Sequence, residues 1–255
     1  MRRVAEAIGG ALGMFSRIPV PARMWGEGGM THALAAFPLV GLIQGLLLLA
    51  WGVAALKLGL PVVLTAGVLC VIPVLVNGGI HLDGLCDTAD ALASYAPREK
   101  RLEILKDPRA GAFGVIAVCA YFVLQFALYA SVALTWRALA AIAASMVLSR
   151  ALSGLAVELL PNARADGMVA GLSPAKRRGG VVAPLALFGC AAAGVMVTCD
   201  GAAGACAVVA ALCVLAWYRR MALTRFGGVT GDLAGWFLQW AELVMLTVVV
   251  LGELL

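Results

Sequence analysis

Long apolar runs separated by short polar segments set the pattern of this chain. A membrane-crossing helix takes about 20 mostly apolar residues. Runs of that kind fall at roughly residues 34–56, 60–77, 114–135, 138–160, 181–199, 202–217 and 233–252. They predict an all-α, polytopic helical transmembrane fold of about seven spans. Residues 1–23 are less apolar and end at Pro19 and Pro21, and are expected to lie along the interface as an amphipathic helix. Ala5–Phe15 is short, glycine-rich and carries Glu6, so it does not read as a cleaved signal. With no internal repeat and no low-complexity tail, a single membrane-embedded catalytic domain is expected over 1–255.

Charge orients this layout. With the N-terminus inside, sixteen of the 19 Lys and Arg fall on inside segments. They are Arg2, Arg3, Arg17 and Arg23, then Arg98, Lys100, Arg101, Lys106 and Arg109. Arg164, Lys176, Arg177 and Arg178 follow, then Arg219, Arg220 and Arg225. Only Lys57 and Arg137 fall outside, and Arg150 lies within a span. Such a bias predicts a cytoplasmic N-terminus and an outside C-terminus. The long loops 78–113, 161–180 and 218–232 then all face the cytoplasm and are the candidate active-site loops. The expected location is the bacterial cell inner membrane, multi-pass, with the active site toward the cytoplasm and the lipid bilayer as solvent.

Composition agrees: 63% of residues are hydrophobic and 13% charged, against about half and a quarter in soluble domains. The formal charge of +5 is accounted for by topology, so no nucleic-acid partner is expected. The seven cysteines form no CxxC pair and read as small buried hydrophobes rather than disulfides or zinc ligands.

The segment Gly78-Gly79-Ile80-His81-Leu82-Asp83-Gly84-Leu85-Cys86-Asp87-Thr88-Ala89-Asp90 carries the most chemistry. On a helix Asp83, Asp87 and Asp90 fall within about 60° of one another. Three carboxylates on one face repel unless a cation lies between them, and hard oxygen ligands suit magnesium, calcium or manganese. The bland alternative is a solvated acidic helix face. His81 lies on the opposite side if the helix includes it, and is a candidate for catalysis or an interface hydrogen bond. In the following loop Lys106 and Arg109 can bind phosphate oxygens, Asp107 can add a metal ligand, and Gly111 and Gly114 let the backbone approach a ligand. Gly227–Asp232, with Thr230, suits a turn that contacts phosphate or metal, or a plain interhelical turn. Asp232, Gly235, Gln239 and Glu242 share one face of the last span. Ionisable groups inside a span are functional suspects, which includes Arg150 and Glu158. Arg150 with Glu242 as a structural ion pair is the alternative.

These residues together resemble the cobalamin synthase family, the adenosylcobinamide-GDP ribazoletransferases. The match begins at Phe15–Pro21 and Phe37-Pro38-Leu39-Val40-Gly41. It is strongest at His81–Asp90 and Arg101–Gly114. It resumes at Ser149-Arg150, at Arg164 with Gly167, and at Gly227–Asp232 with Gln239 and Glu242. Pro108 and Phe113 depart mildly from the family pattern and remove no candidate ligand.

The resemblance implies transfer of α-ribazole, or its 5′-phosphate, to adenosylcobinamide-GDP with release of GMP. It implies Mg2+ as cofactor, corrinoid and nucleoside substrates, and other membrane-bound corrinoid-pathway enzymes as partners; the oligomeric state stays open. The expected site is then His81, Asp83, Asp87 and Asp90 for catalysis. Lys106, Arg109, Gly111, Arg150, Thr230, Gln239 and Glu242 are expected to bind substrate. Asp83, Asp87, Asp90, Asp107 and Asp232 are the expected metal ligands. A CDP-alcohol phosphotransferase is the nearest rival, but Gly84 is followed by Leu85-Cys86-Asp87, without that family's Arg. A cation-coupled transporter would favour inverted repeats and midplane sites, and neither is evident.

Overall fold

The computed structural model describes residues 2–24, 27–165, 167 and 180–252, with side chains for all of these except 23 and 27–31. Nine helices carry them: α1 Arg2–Phe15, α2 Glu27–Leu58, α3 Val62–Asn77, α4 Ile80–Ala93, α5 Arg98–Ile104, α6 Ala112–Ser131, α7 Trp136–Leu159, α8 Val182–Met221 and α9 Gly231–Gly252. A short 3-10 turn follows α1 and a π turn, Ala222–Phe226, follows α8. No strand forms among the described residues; an isolated bridge joins Asn162 and Val229. Lys176, Arg177 and Arg178 of the predicted 161–180 loop lie outside the described residues.

Among the described residues five helices are long and apolar enough to cross a membrane, or six if the bent pair α3–α4 counts as one span. Two features separate this from the seven runs of the sequence. The runs 181–199 and 202–217 are joined in α8, whose backbone leaves helical geometry at Gly201 (φ 55°, ψ −123°). In a straight helix Met196 and Gly204 would lie about 12 Å apart, yet the Gly204 backbone packs directly on the Met196 carbonyl. The chain therefore doubles back there. The run 60–77 becomes α3, only 16 residues long, which turns through 94° into α4.

Gly78 and Gly79 make that elbow, both left-handed at φ 69° and 85°, a conformation that costs glycine little. Asn77 fixes it by accepting the Gly79 N–H through Oδ1 at 2.8 Å. From the other side Arg17, just past α1, lays its aliphatic stem over Gly78 and donates its backbone N–H to Val76 at 2.8 Å.

Small residues set the packing, as expected where lipid removes the hydrophobic drive between helices. α2 runs along α7, α7 along α8, and α1 along α2. On α2, Gly41 meets the Met146 backbone and Gly45, one turn on, meets Ala143. Leu46, Leu47, Val123, Leu124 and Leu187 remain on the outside, where lipid would cover them. Cys119, Cys190, Cys206 and Cys213 lie outside too, and all seven cysteines are free. The expectation of buried cysteines thus holds fully only for Cys70. The reason is the solvent: a thiol suits a lipid-facing surface as well as a core.

Candidate active site

α4 packs on α6 and on the start of α9. Two glycines allow the α4–α9 contact. Gly84 of α4 meets the Asp232 backbone, and Gly235 of α9 approaches the His81 backbone, a Cβ there lying 3.1 Å from it. The crossing brings the carboxylates of one helix to the first turn of the other. Helices bent by 94° cannot both run along the bilayer normal. The limb without charges, α3, suits hydrocarbon, and the limb with three aspartates suits the polar boundary.

The aspartates have different surroundings. Asp90 accepts the backbone N–H groups of Gly111 and Gly114 at 2.7 and 2.9 Å. It therefore caps α6 from a neighbouring helix, meeting donors that a helix start leaves free. Gly111 is the N-cap of α6, and a side chain there would strike the Asp90 carboxylate. Asp107 receives a fork from Arg109, Nε to Oδ1 at 2.9 Å and Nη2 to Oδ2 at 2.8 Å. That bond first, with the Arg109 amide second, brings its carboxyl down to about 2. Asp232 accepts Arg164 Nη2 at 3.0 Å and the Thr230 hydroxyl at 3.3 Å.

Asp87 has the opposite balance. Burial, then repulsion from Asp83, Asp232, Asp90 and Asp107 in that order, pushes its carboxyl up to about 7. Four neighbouring carboxylates, with no cation among the described residues directed at Asp87, are the electrostatic mark of a cation or substrate site. Among the described residues no three acidic, Cys or His side chains already converge as a metal cage. Magnesium takes one or two carboxylates and fills its shell with water and phosphate oxygens, so the donor set fits without a cage.

Beside this cluster a cavity of about 130 Å³ opens between α1, α2, α4, α7 and α9. Phe15, Leu34, Phe37, Val157 and Leu238 form its apolar wall, and Asp83, Arg164 and Asp232 its polar lip. His81 lines it as well. Its ring is buried, edge-on to Phe37 with centroids 5.8 Å apart, and its Nε2 has no partner. Residue 81 is inside α4, so its side chain leaves the helix away from Asp83, as the helical phase requires.

The remaining expected residues fall into three places. Lys106 and Arg109 are exposed on the α5–α6 loop. Thr230 is buried and caps α9, accepting the Leu233 N–H at 3.2 Å. Arg150, Gln239 and Glu242 are buried in the bundle. There Arg150 pairs with Glu242, Ser149 donates to the same carboxylate at 3.0 Å, and Arg150 Nη1 also donates to the Met146 carbonyl at 3.0 Å. This is the structural ion pair, and it is separate from the α4 carboxylates. Sequence reasoning left Phe15, Phe37, Ser153, Val157 and Arg164 out of the site. Their signal was weak. Phe15 and Phe37 belong to the matched motifs, but nothing local says they meet. Arg98, taken only as a loop charge, lays its guanidinium over Gly227 and covers that end of the turn, while Gly231 and Asp232 at its other end line the cavity.

A helical membrane domain that gathers carboxylates at one end, beside an apolar-walled cavity, has the build of a membrane-embedded enzyme. Comparison with known proteins narrows the class. The sequence model of the family described as cobalamin-5-phosphate synthase matches residues 7–250. An adenosylcobinamide-GDP ribazoletransferase of Lachnoclostridium phytofermentans is 40% identical over 245 residues, covering 95% of this chain and 92% of that relative. Proteins of the same description from Clostridium perfringens and Listeria monocytogenes are 37% and 44% identical over 50% and 46% of the chain, covering 51% and 48% of those relatives. No solved structure matches. The chain belongs to the cobalamin-5-phosphate synthase family.

Proposed function

We propose that this chain catalyses the transfer named for its relatives: α-ribazole, or its 5′-phosphate, is joined to adenosylcobinamide-GDP. A ribose hydroxyl that is free in both acceptors, and so not the 5′ one, attacks the phosphorus on the cobinamide side of the pyrophosphate. The bond to the bridging oxygen breaks, GMP leaves with that oxygen, and a phosphodiester remains. The hydroxyl proton passes to a carboxylate of the lip, Asp83 or Asp232, both of which line the cavity. Lys106, Arg109 and Arg164 supply positive charge for the phosphates. Asp83, Asp87 and Asp232 would hold Mg2+. Bound there, the ion would offset phosphate charge as the transfer proceeds. Asp90, engaged with α6, positions this group rather than binding metal, and Asp107 orients Arg109.

The observation that supports this reading best is Asp87, crowded by four carboxylates beside a cavity with room for an organic substrate. The CDP-alcohol and transporter alternatives find no support in the family comparison. In the same reading the chain crosses the bacterial inner membrane seven times, the Gly201 reversal dividing α8 into two spans. The N-terminus and the α4 carboxylates then face the cytoplasm, in keeping with the distribution of Lys and Arg.

The test is a transfer assay on purified protein in lipid with adenosylcobinamide-GDP, α-ribazole and magnesium. GMP and a cobalamin product are expected, lost with EDTA. Asp87→Asn should lower turnover by about 10²–10³-fold or more while the protein still inserts and folds. Normal turnover by Asp87→Asn would remove the metal assignment, and no product from folded wild type would remove the transfer itself.

A further inference from the structure

The reaction has two substrates that each carry a nucleobase: guanine on the corrinoid donor, and the base of the nucleoside acceptor. The reading above leaves open which of them the cavity takes. Its wall decides between them. Phe15, Leu34, Phe37, Val157 and Leu238 offer no hydrogen bond. The polar atoms among them are few: His81 Nε2, buried and unpartnered, and the Ser153 hydroxyl. Guanine presents a carbonyl, a ring N–H and an amino group along its edge. In this wall most of those groups would be stripped of water without replacement, which is costly. A flat aromatic base with a single free ring nitrogen loses almost nothing there, and one donor satisfies it.

Size agrees. An apolar cavity of roughly 150 Å³ takes a benzene ring, so about 130 Å³, open at a polar lip, suits a flat aromatic whose sugar remains outside. The lip is where Asp83 and Asp232 stand, so a sugar hydroxyl leaving the cavity meets the carboxylates. Phe15 and Phe37, ring centroids 4.3 Å apart, form one aromatic side, and the His81 ring lies edge-on to Phe37.

We infer that the cavity between α1, α2, α4, α7 and α9 is the acceptor subsite. It takes the apolar aromatic base of the nucleoside, with His81 Nε2 donating to the free ring nitrogen and the ribose directed at Asp83 and Asp232. The guanine of the donor binds elsewhere. His81 is thus a specificity residue for the acceptor. The inference rests on the transfer reading and fixes what that reading leaves open.

The experiment uses the full-length protein in liposomes. The nucleoside is varied at saturating adenosylcobinamide-GDP, and the donor at saturating nucleoside. Val157→Phe fills the apolar wall and should raise the KM for α-ribazole about tenfold or more, leaving the KM for the donor unchanged. Val157→Ala, which folds more readily, should shift preference toward a base one methyl group larger. His81→Phe should raise the KM for α-ribazole and remove the preference for ribosides with a free ring nitrogen over analogues with C–H in place of that nitrogen. Equilibrium binding of α-ribazole alone to wild type and Val157→Phe reads the subsite without turnover. If wild type transfers normally and Val157→Phe or Val157→Ala changes only the donor KM, or neither KM, the subsite assignment is overturned. If α-ribazole binds wild type and not Val157→Phe while no transfer occurs in wild type, the subsite stands and the reaction reading fails.

Discussion

Two charge sites in this molecule are built in opposite ways. In the bundle Arg150 is fully enclosed and faces Glu242, with Ser149 bridging. The charges cancel, and neither group lines the cavity. At the α4–α9 crossing, Asp83, Asp87 and Asp232 meet, and among the described residues only Arg164 is directed at one of them. Negative charge is left over there, and a cavity adjoins it. A cancelled pair in a membrane core holds helices together, whereas an uncancelled cluster at its edge stores the capacity to bind. Ionisable residues inside spans are suspects for function in general, but it is the net charge of their neighbourhood that separates the two cases.

The contrast can be broken most sharply at the neutral pair. Glu242→Ala leaves Arg150 buried without its partner and should cost about 3–5 kcal/mol, read as a large loss of thermal stability in detergent. Replacing both residues by apolar ones of similar volume should return most of it. A Glu242→Ala protein as stable as wild type would show that Arg150 finds other partners.

Next is Asp90, which belongs to the acidic face but acts as a cap. Asp90→Ala should cost about 1–2 kcal/mol, the range of a lost helix cap. It should also lower turnover through displacement of the α6 start, whereas Asp90→Asn, which retains an acceptor oxygen, should recover much of both. Equal, complete inactivation by Asp90→Asn and Asp87→Asn would instead make Asp90 a metal ligand.

The uncancelled cluster should also show in pH. Asp87 is raised in the folded state from 3.8 to about 7. The folded protein therefore binds a proton that the unfolded chain has lost. Its contribution to stability is full below about 4 and disappears as pH rises toward 7. In EDTA the melting temperature should fall by a few degrees over that window, and magnesium, which favours the ionised form, should flatten the profile. A profile that is flat in EDTA, or unchanged in Asp87→Asn, would remove the charge excess. The smallest effect belongs to Arg109, exposed and paired with Asp107. Arg109→Ala should leave melting unchanged and raise the KM of the donor several-fold, while an unchanged KM would leave Arg109 without a phosphate to bind.

Much of this could be read along the chain. Apolar runs of span length appear as helices because lipid requires internally satisfied backbone. The phase of Asp83, Asp87 and Asp90 put them on one face, and His81 on the other. The sequence could not show which partner each would take. Asp90 is held by amides 21 and 24 residues on, Arg150 by a carboxylate 92 residues away, and Asp232 by Arg164, 68 residues before it. Those partners are set by helix crossings, and the crossings depend on which glycines meet. Gly84 and Gly235 have the same local signal as any other glycine in a span, so the cavity between their helices left no trace in the pattern.

The α3–α4 elbow has a consequence for the lipid. Sixteen residues at about 1.5 Å each reach about 24 Å, short of a hydrocarbon core of about 30 Å. In the proposed topology the elbow would hold the acidic face several ångströms below the level of the headgroups, at the floor of a dip in the membrane surface. A bilayer with shorter chains would raise that floor toward the water, and one with longer chains would deepen it. In that topology membrane thickness would become a variable of the chemistry, acting through how far a bulky, water-soluble substrate must descend to reach its partner.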